Sequence, residues 1–391
     1  MSEKYSFRLV FIAACLGMVL FGIAIISLGS TLPSIIEKFG LDKIQAGSLA
    51  SILPTGILLG SLIFGPIVDR HSYRNLLIIF TILIILGFEG AAFSTGLFTL
   101  QISFFLIGFG GGALNGGTNA LVADISEKRP DKRSSNLSLL GVFYGIGALG
   151  IPLLIAVLST AWPFERILKY TGFILLIPLF YFAIISYPAA KQKQGVTLSD
   201  GMAMIKDKYL VVLGLFLFFE SALEGIISNW STTFLQKENG INSSDALLAL
   251  SVYILSLTVS RLILTSILRR IRPLAVLFYS LGIIFTGVFL LFLSHSWFLF
   301  IASFILLGMG TAAGFPVILG YVGDMYTNLR GTAFSFVFFI ALIGNTLMNY
   351  FMGIIAEKFG LNTYPIVLLF CACFLLLIGI FMLPKIAVKN K

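Results

Sequence analysis

Apolar positions along this chain fall into long uninterrupted runs, and polar positions are confined to short breaks between them. Runs can be placed near 7–29, 46–68, 75–95, 98–124, 135–159 and 165–187, then near 209–235, 246–268, 274–294, 298–324, 331–354 and 363–384. Each is close to the roughly 20 residues needed to cross about 30 Å of hydrocarbon. Backbone groups in lipid are satisfied only inside a helix or a closed barrel, and these runs are about twice the length of a barrel strand. The pattern therefore predicts an all-α membrane protein with 12 transmembrane helices. Six spans precede and six follow the polar stretch Lys191–Lys208, which predicts an N-terminal bundle (1–190), a linker (191–208) and a C-terminal bundle (209–391).

The two halves are related. Gly108–Asp124, GFGGGALNGGTNALVAD, returns 200 residues later as Gly308–Asp324, GMGTAAGFPVILGYVGD, with Gly108, Gly110, Val122 and Asp124 falling on Gly308, Gly310, Val322 and Asp324 without a gap. Arg70 likewise lands on Arg270. A repeat that spans several helices predicts two pseudo-symmetric six-helix bundles, the arrangement of transporters built from duplicated halves. The Gly108–Gly112 cluster lies in an apolar span with no strand before it, so helix packing is expected there rather than a phosphate loop. In span 5, Gly141 and Gly145 lie four apart, which predicts a face for close approach of another helix.

Composition agrees with this picture. The chain has 391 residues, of which 58% are hydrophobic and 11% charged, and its mean hydropathy is +1.02. Its net charge of +9 could suggest nucleic acid, but the distribution of charge argues against it. Nineteen of the 26 Lys and Arg residues lie in the N-terminus, the loops DRHSYR, SEKRPDKR, RRIRP and TNLR, the central linker and the C-terminal tail. By the positive-inside rule those segments, and both termini, are cytoplasmic. The expected location is a cell membrane, the inner membrane in a bacterium. The three cysteines, Cys15, Cys371 and Cys373, sit in apolar runs without metal-ligand spacing and are expected in the core. Only His71 and His295 are present, no HExxH motif occurs, and the aqueous loops are short, so neither an enzyme, a metal site nor a cofactor is expected.

Few ionisable groups lie inside the spans, and each costs about 2.5–3.5 kcal/mol at a helix centre on insertion scales. Glu220 and Glu224 are four apart in span 7 and so share one face. Glu89 lies deep in span 3 and Arg261 in span 8. Desolvation and mutual repulsion predict that at least one acid of the span-7 pair is protonated near neutrality. These acids are candidate ion-coupling groups. The alternative is structural, with Glu220 paired to Arg261 as a strut and Glu89 hydrogen-bonded at a helix contact. Amides repeat the same spacing: Asn115 and Asn119 in span 4, Asn345 and Asn349 in span 11, and Asn229 just before Trp230. Amides offer paired donors and acceptors suited to hydroxyls, and an aromatic ring covers the apolar face of a sugar. They are candidate substrate-binding residues; the alternative is interhelical hydrogen bonding.

Between spans 2 and 3 the chain reads GPIVDRHSYR, which resembles the cytoplasmic signature of the major facilitator superfamily. Twelve spans in two halves are similar to that superfamily as well. LIGFGGGALNGGTNALVADI, GVFYGIGALGIPLL and FFESALEGIISNW look like the branch of fucose permeases and bacterial glucose/mannose symporters. The resemblance implies the major facilitator fold, a monomer, and alternating access between the halves. It adds Tyr144 of the Phe-Tyr-Gly motif to the substrate candidates and favours Glu224 as the coupling acid. It also makes Asp69, Arg70 and Arg74 a candidate latch, to which Asp124, Asp324, Arg330 and Arg261 are added as gating candidates. Two acids found in relatives are missing: one stands where Asn115 is, the other late in span 1, where the chain reads SLGSTLP.

The function expected from these observations is secondary active transport, as a proton-coupled symporter of a hexose-type sugar. Sodium is the alternative coupling ion, and proton-coupled efflux of drugs or metabolites the alternative function. The partners are then a small-molecule substrate, the coupling ion and membrane lipid.

Overall fold

The computed structural model describes residues 5–381 apart from 71, 127–129, 160, 189–206, 269, 294–295 and 327–329. Among the described residues every regular element is helical, and twelve helices are long and apolar enough to cross a membrane. We number them α1 (Phe7–Phe39), α2 (Lys43–Arg70), α3 (Tyr73–Ala92), α4 (Leu97–Ile125), α5 (Pro130–Leu158) and α6 (Phe164–Ile184). The second set is α7 (Lys208–Lys237), α8 (Ser243–Ile267), α9 (Pro273–Leu293), α10 (Trp297–Met325), α11 (Arg330–Phe359) and α12 (Tyr364–Phe381), the last preceded by a single 3₁₀ turn at Leu361–Thr363. Large apolar side chains on the outer faces are open, Ile184 and Phe298 at 81% among them. Such a surface is unfavourable in water and natural in lipid.

The chain divides into two compact units, Met1–Gly195 and Val196–Lys391. Within the first, α1 packs on α5, α4 packs on α2, α3 and α1, and α3 packs on α6. Within the second, the equivalent pairs recur: α7 on α11, α10 on α8 and α9, and α9 on α12. The offset of 200 residues seen in the sequence is reproduced atom by atom inside the units. A Cβ built on Gly108 would meet the carbonyl oxygen of Leu53 at 2.2 Å, and one on Gly308 that of Tyr253 at 2.5 Å. On Gly110 it would lie 2.5 Å from Ile84 Cγ1, and on Gly310 2.5 Å from Ile284 Cγ1. Gly40 and Gly240 both have left-handed φ, +60° and +65°, at the ends of α1 and α7. Asp42 and Asn242 then cap α2 and α8, accepting from the backbone N–H of Gln45 and Asp245 at 2.7 and 2.8 Å. The glycine cluster of α4 is thus a set of helix contacts, with Gly112 only 2.2 Å from the Ile57 carbonyl once a Cβ is added.

Two helices are interrupted, each within the turn that precedes a proline. α6 breaks at Leu175, between Phe164–Ile174 and Leu176–Ile184, and α10 breaks at Ala312–Ala313, between Trp297–Thr311 and Gly314–Met325. Pro178 and Pro316 carry no N–H, so the carbonyls of Ile174 and Ala312 lose their helical donors. Pro33 and Pro152 are accommodated in α1 and α5 without a break.

Two expectations change. The close approach of α5 to α1 is made at Gly147, where a Cβ would stand 2.1 Å from the Val19 carbonyl; Gly141 has nothing within 4 Å. Small-residue spacing marks a helix face, but here a neighbouring glycine meets α1. Cys15 and Cys371 are buried, whereas Cys373, two residues on and hence on another face of α12, is exposed.

Candidate functional site

The second unit carries a polar cluster in its interior, built around α7. This helix is the most buried of the twelve, with 67% of its most apolar window inside, followed by its repeat partner α1 at 61%. Asp207 fixes its start by accepting from the N–H groups of Tyr209 and Leu210. From that fixed start, Glu220, Ser221, Glu224 and Asn229 are delivered into the bundle.

Glu224 pairs with Arg261 of α8, Nη2 to Oε1, at 2.7 Å, with side-chain exposures of 21% and 32%. This corrects the strut expected between Glu220 and Arg261. Both acids lie on one face, one turn apart, and spacing does not tell which one a long guanidinium will reach. Glu220 is 1% exposed, and its Oε1 meets no hydrogen-bond partner.

A chain of amides links α7 to α11. Asn229 Nδ2 donates to Asn349 Oδ1 at 3.2 Å, Asn349 Nδ2 to Asn345 Oδ1 and carbonyl at 2.9 Å, and Asn345 Nδ2 to the Ser221 carbonyl at 3.0 Å and hydroxyl at 3.3 Å. Gly225 makes room, since a Cβ there would lie 2.4 Å from Asn345 Oδ1. Asn229 and Asn349 are buried, and only Asn345 keeps an accessible side. Trp230, expected as a stacking platform, is 0% exposed. Its ring belongs to the core because the C-terminal half of α7, up to Leu235, is buried inside the unit almost throughout.

The remaining candidates are placed as follows. In the first unit Asn119 Nδ2 donates to Asn115 Oδ1 at 3.1 Å and to its carbonyl at 2.8 Å, so the two amides share a half-buried face of α4. The Tyr144 ring lies 5.4 Å from Phe21 of α1. Glu89 points at α6, where a Cβ on Gly172 would come within 2.6 Å of its Oε1. That Oε1 is buried and meets no hydrogen-bond partner, so the hydrogen bond weighed for Glu89 is not formed by this atom. Asp124 accepts from Tyr73 Oη at 2.5 Å, tying α4 to the start of α3, while its repeat mate Asp324 is exposed, and Pro273 stands where Tyr73 would recur. In the second unit the matching tie is a different one, Tyr326 Oη to Asp207 Oδ2 at 2.5 Å. Arg74 Nη2 donates to the Ala183 carbonyl. Asp69 and Arg70 close α2 and Arg330 opens α11, but their side chains lie outside the described residues, as does His71.

Sequence reasoning missed Ser221, Asp207, Tyr326 and Pro316. Asp207 and Pro316 were legible, the one as an N-cap signal before an apolar run and the other as a helix breaker within a span. Among the described residues no group of three His, Cys, Asp or Glu could hold a metal.

Duplicated helical bundles with charged and amide groups inside apolar walls define a polytopic membrane transporter. The chain belongs to the Major Facilitator Superfamily, whose family model matches residues 14–289 and 213–391. It is 25% identical over 344 residues to the glucose/mannose transporter GlcP of Bacillus subtilis (strain 168), covering 85% of this chain and 84% of that protein. Among solved structures, a mutant of the nucleoside transporter NupG superposes with a TM-score of 0.80 at 17% identity, covering 95% of this chain and 97% of the other. A D-xylose–proton symporter superposes with a TM-score of 0.76 at 15% identity, covering 95% and 97%.

Proposed function

We propose that this protein is a proton-coupled symporter of a hexose-type sugar, working by alternating access in a cell membrane, with both termini cytoplasmic and the monomer as its unit. The observation that carries the reading is the Glu224–Arg261 pair inside the second unit, one turn from the Ser221–Asn345 contact that begins the amide chain. A partly buried ion pair is a two-state device: protonating Glu224 removes its charge and leaves the guanidinium to find another partner. Asn345, with one accessible side, and the half-buried Asn115 and Asn119 offer donors and acceptors that match sugar hydroxyls. The GlcP relative and the xylose–proton symporter support the substrate class and the ion by likeness.

One proton falling through about 100 mV carries about 2.3 kcal/mol. About 1.4 kcal/mol is tenfold, so one proton per sugar sustains roughly fifty-fold accumulation. The test is uptake of labelled hexose into vesicles with an imposed proton gradient. Symport gives entry that follows the gradient and is abolished by Glu224→Gln. Absence of entry, with reduced sensitivity of expressing cells to dyes, would assign efflux instead.

A further inference from the structure

The lipid-facing side of the first unit carries charge in the seam between two apolar stripes. Along α3 the open positions Ile82, Leu86 and Phe93 form one stripe, and the half-buried Glu89 falls on it between Leu86 and Phe93. Along α6 the open positions are Tyr170, Phe173, Ile174 and Ile177, with Lys169 half-buried at their edge. The two helices pack on each other, so acid and lysine share their seam. One oxygen of Glu89 rests against Gly172 without a hydrogen-bond donor. Lys169 is the cation that bears on this acid, but its ammonium lies 5.2 Å from the centroid of the Phe93 ring. Arg166, one turn nearer the helix start, is exposed, with its guanidinium carbon 6.0 Å from the Trp162 ring, which packs on Tyr170 at 5.1 Å. Glu165, the other acid at this corner, is taken by Lys38. Depth decides what can meet these groups. α3 ends at Ala92, three residues beyond Glu89 and about 4.5 Å along the axis, and α6 begins at Phe164. The seam therefore lies at the level of lipid headgroups, where aromatic rings and cations are at home, and not in the middle of the hydrocarbon.

We propose that the seam between α3 and α6 binds a phospholipid whose headgroup carries a primary ammonium, the ethanolamine class. The ammonium donates to Glu89, Lys169 and Arg166 hold the phosphate, and the acyl chains lie along the two apolar stripes. Such a headgroup brings both charges on one molecule, which complements a carboxylate and two cations that aromatic rings hold at the same level. A primary ammonium has N–H groups for a charge-assisted bond to the carboxylate, whereas a trimethylated one has none. A glycerol headgroup brings the phosphate alone and leaves the Glu89 oxygen without a donor. The site belongs to the first unit and uses neither Glu224 nor Arg261, so it stands apart from the transport reading.

The test titrates full-length purified protein in detergent with lipids that share their acyl chains and differ only in headgroup: ethanolamine, choline or glycerol. The thermal midpoint should rise saturably with the ethanolamine lipid, because a ligand that binds only the folded state stabilises it by mass action. Half-saturation with the choline or glycerol lipid should need about tenfold more. Glu89→Gln should bring the ethanolamine lipid to the level of the choline lipid, and Lys169→Met with Arg166→Gln should weaken all three, since the shared phosphate loses its partners. Equal half-saturation by ethanolamine and choline lipids in the wild type, or a preference that survives Glu89→Gln, would overturn the site. Tighter binding of the glycerol lipid would overturn it in favour of a plain anion site. If Glu89→Gln does not fold, stepwise methylation of the headgroup decides the matter on the wild type. Binding should hold while one N–H remains and fall at the third methyl, and a response blind to that last step counts against the proposal.

Discussion

Arg261 is the residue on which the charge balance of the second unit turns. Removing it strands Glu224 in a partly buried setting, while removing both partners strands nothing. Arg261→Gln should therefore lower unfolding stability by about 2 kcal/mol, and Arg261→Gln with Glu224→Gln by less, as read from thermal unfolding in detergent. A double variant weaker than the single would show that the pair is not the relevant contact. Tyr326 offers a second test at this scale. Burial, then its hydrogen bond to Asp207 and the charge of that carboxylate, raise the phenol above its usual range. The unfolded chain gives up its phenol proton first as pH rises, so this contribution is complete below the usual phenol range and is lost as pH climbs from there toward the raised folded value. Tyr326→Phe should cost about 1 kcal/mol at neutral pH, with the gap to wild type shrinking in alkali. The sequence shows that Glu220, Glu224 and Arg261 share one membrane interior, but not who pairs with whom. That choice depends on rotamers and on Gly314, 94 residues further on from Glu220. The place of Trp230 is hidden for a related reason: an aromatic beside an amide suits a pocket and a core equally well, and only the burial of α7 puts this ring inside the unit.

At the scale of helices, glycine decides where backbones touch. Gly112→Ala would place a methyl 2.2 Å from the Ile57 carbonyl, and backbone cannot give way as a side chain does. Loss of folded protein is expected, measured as the monodisperse fraction after size exclusion. Gly150→Ala, which meets nothing within 4 Å, should fold like wild type. Equal yields for the two would refute the packing assigned to α2 and α4. The spans themselves were legible, because a run of apolar residues long enough for lipid has one structural solution. Their interruptions were less so: Pro178 and Pro316 break their helices, while Pro33 and Pro152 do not, and composition alone does not separate the two outcomes.

Across the whole molecule, the repeat read at Gly108 and Gly308 returns as equal glycine contacts, equal left-handed helix ends and equal caps, 200 residues apart. What did not repeat is chemistry. Asp124 binds Tyr73, Asp324 lies open, and Ala24 and Ser61 stand where Glu224 and Arg261 would recur. Duplication specifies backbone approach, whereas single substitutions afterwards decide which half carries charge. That proton movement through Glu224 drives sugar entry is tested most directly by proton flux itself. In proteoliposomes without an imposed gradient, adding hexose should make the weakly buffered outer medium more alkaline as protons follow sugar inward, and Glu224→Gln should abolish that signal while sugar-dependent thermal stabilisation persists. Hexose entry without any change in external pH, or an unaltered signal in Glu224→Gln, would contradict it.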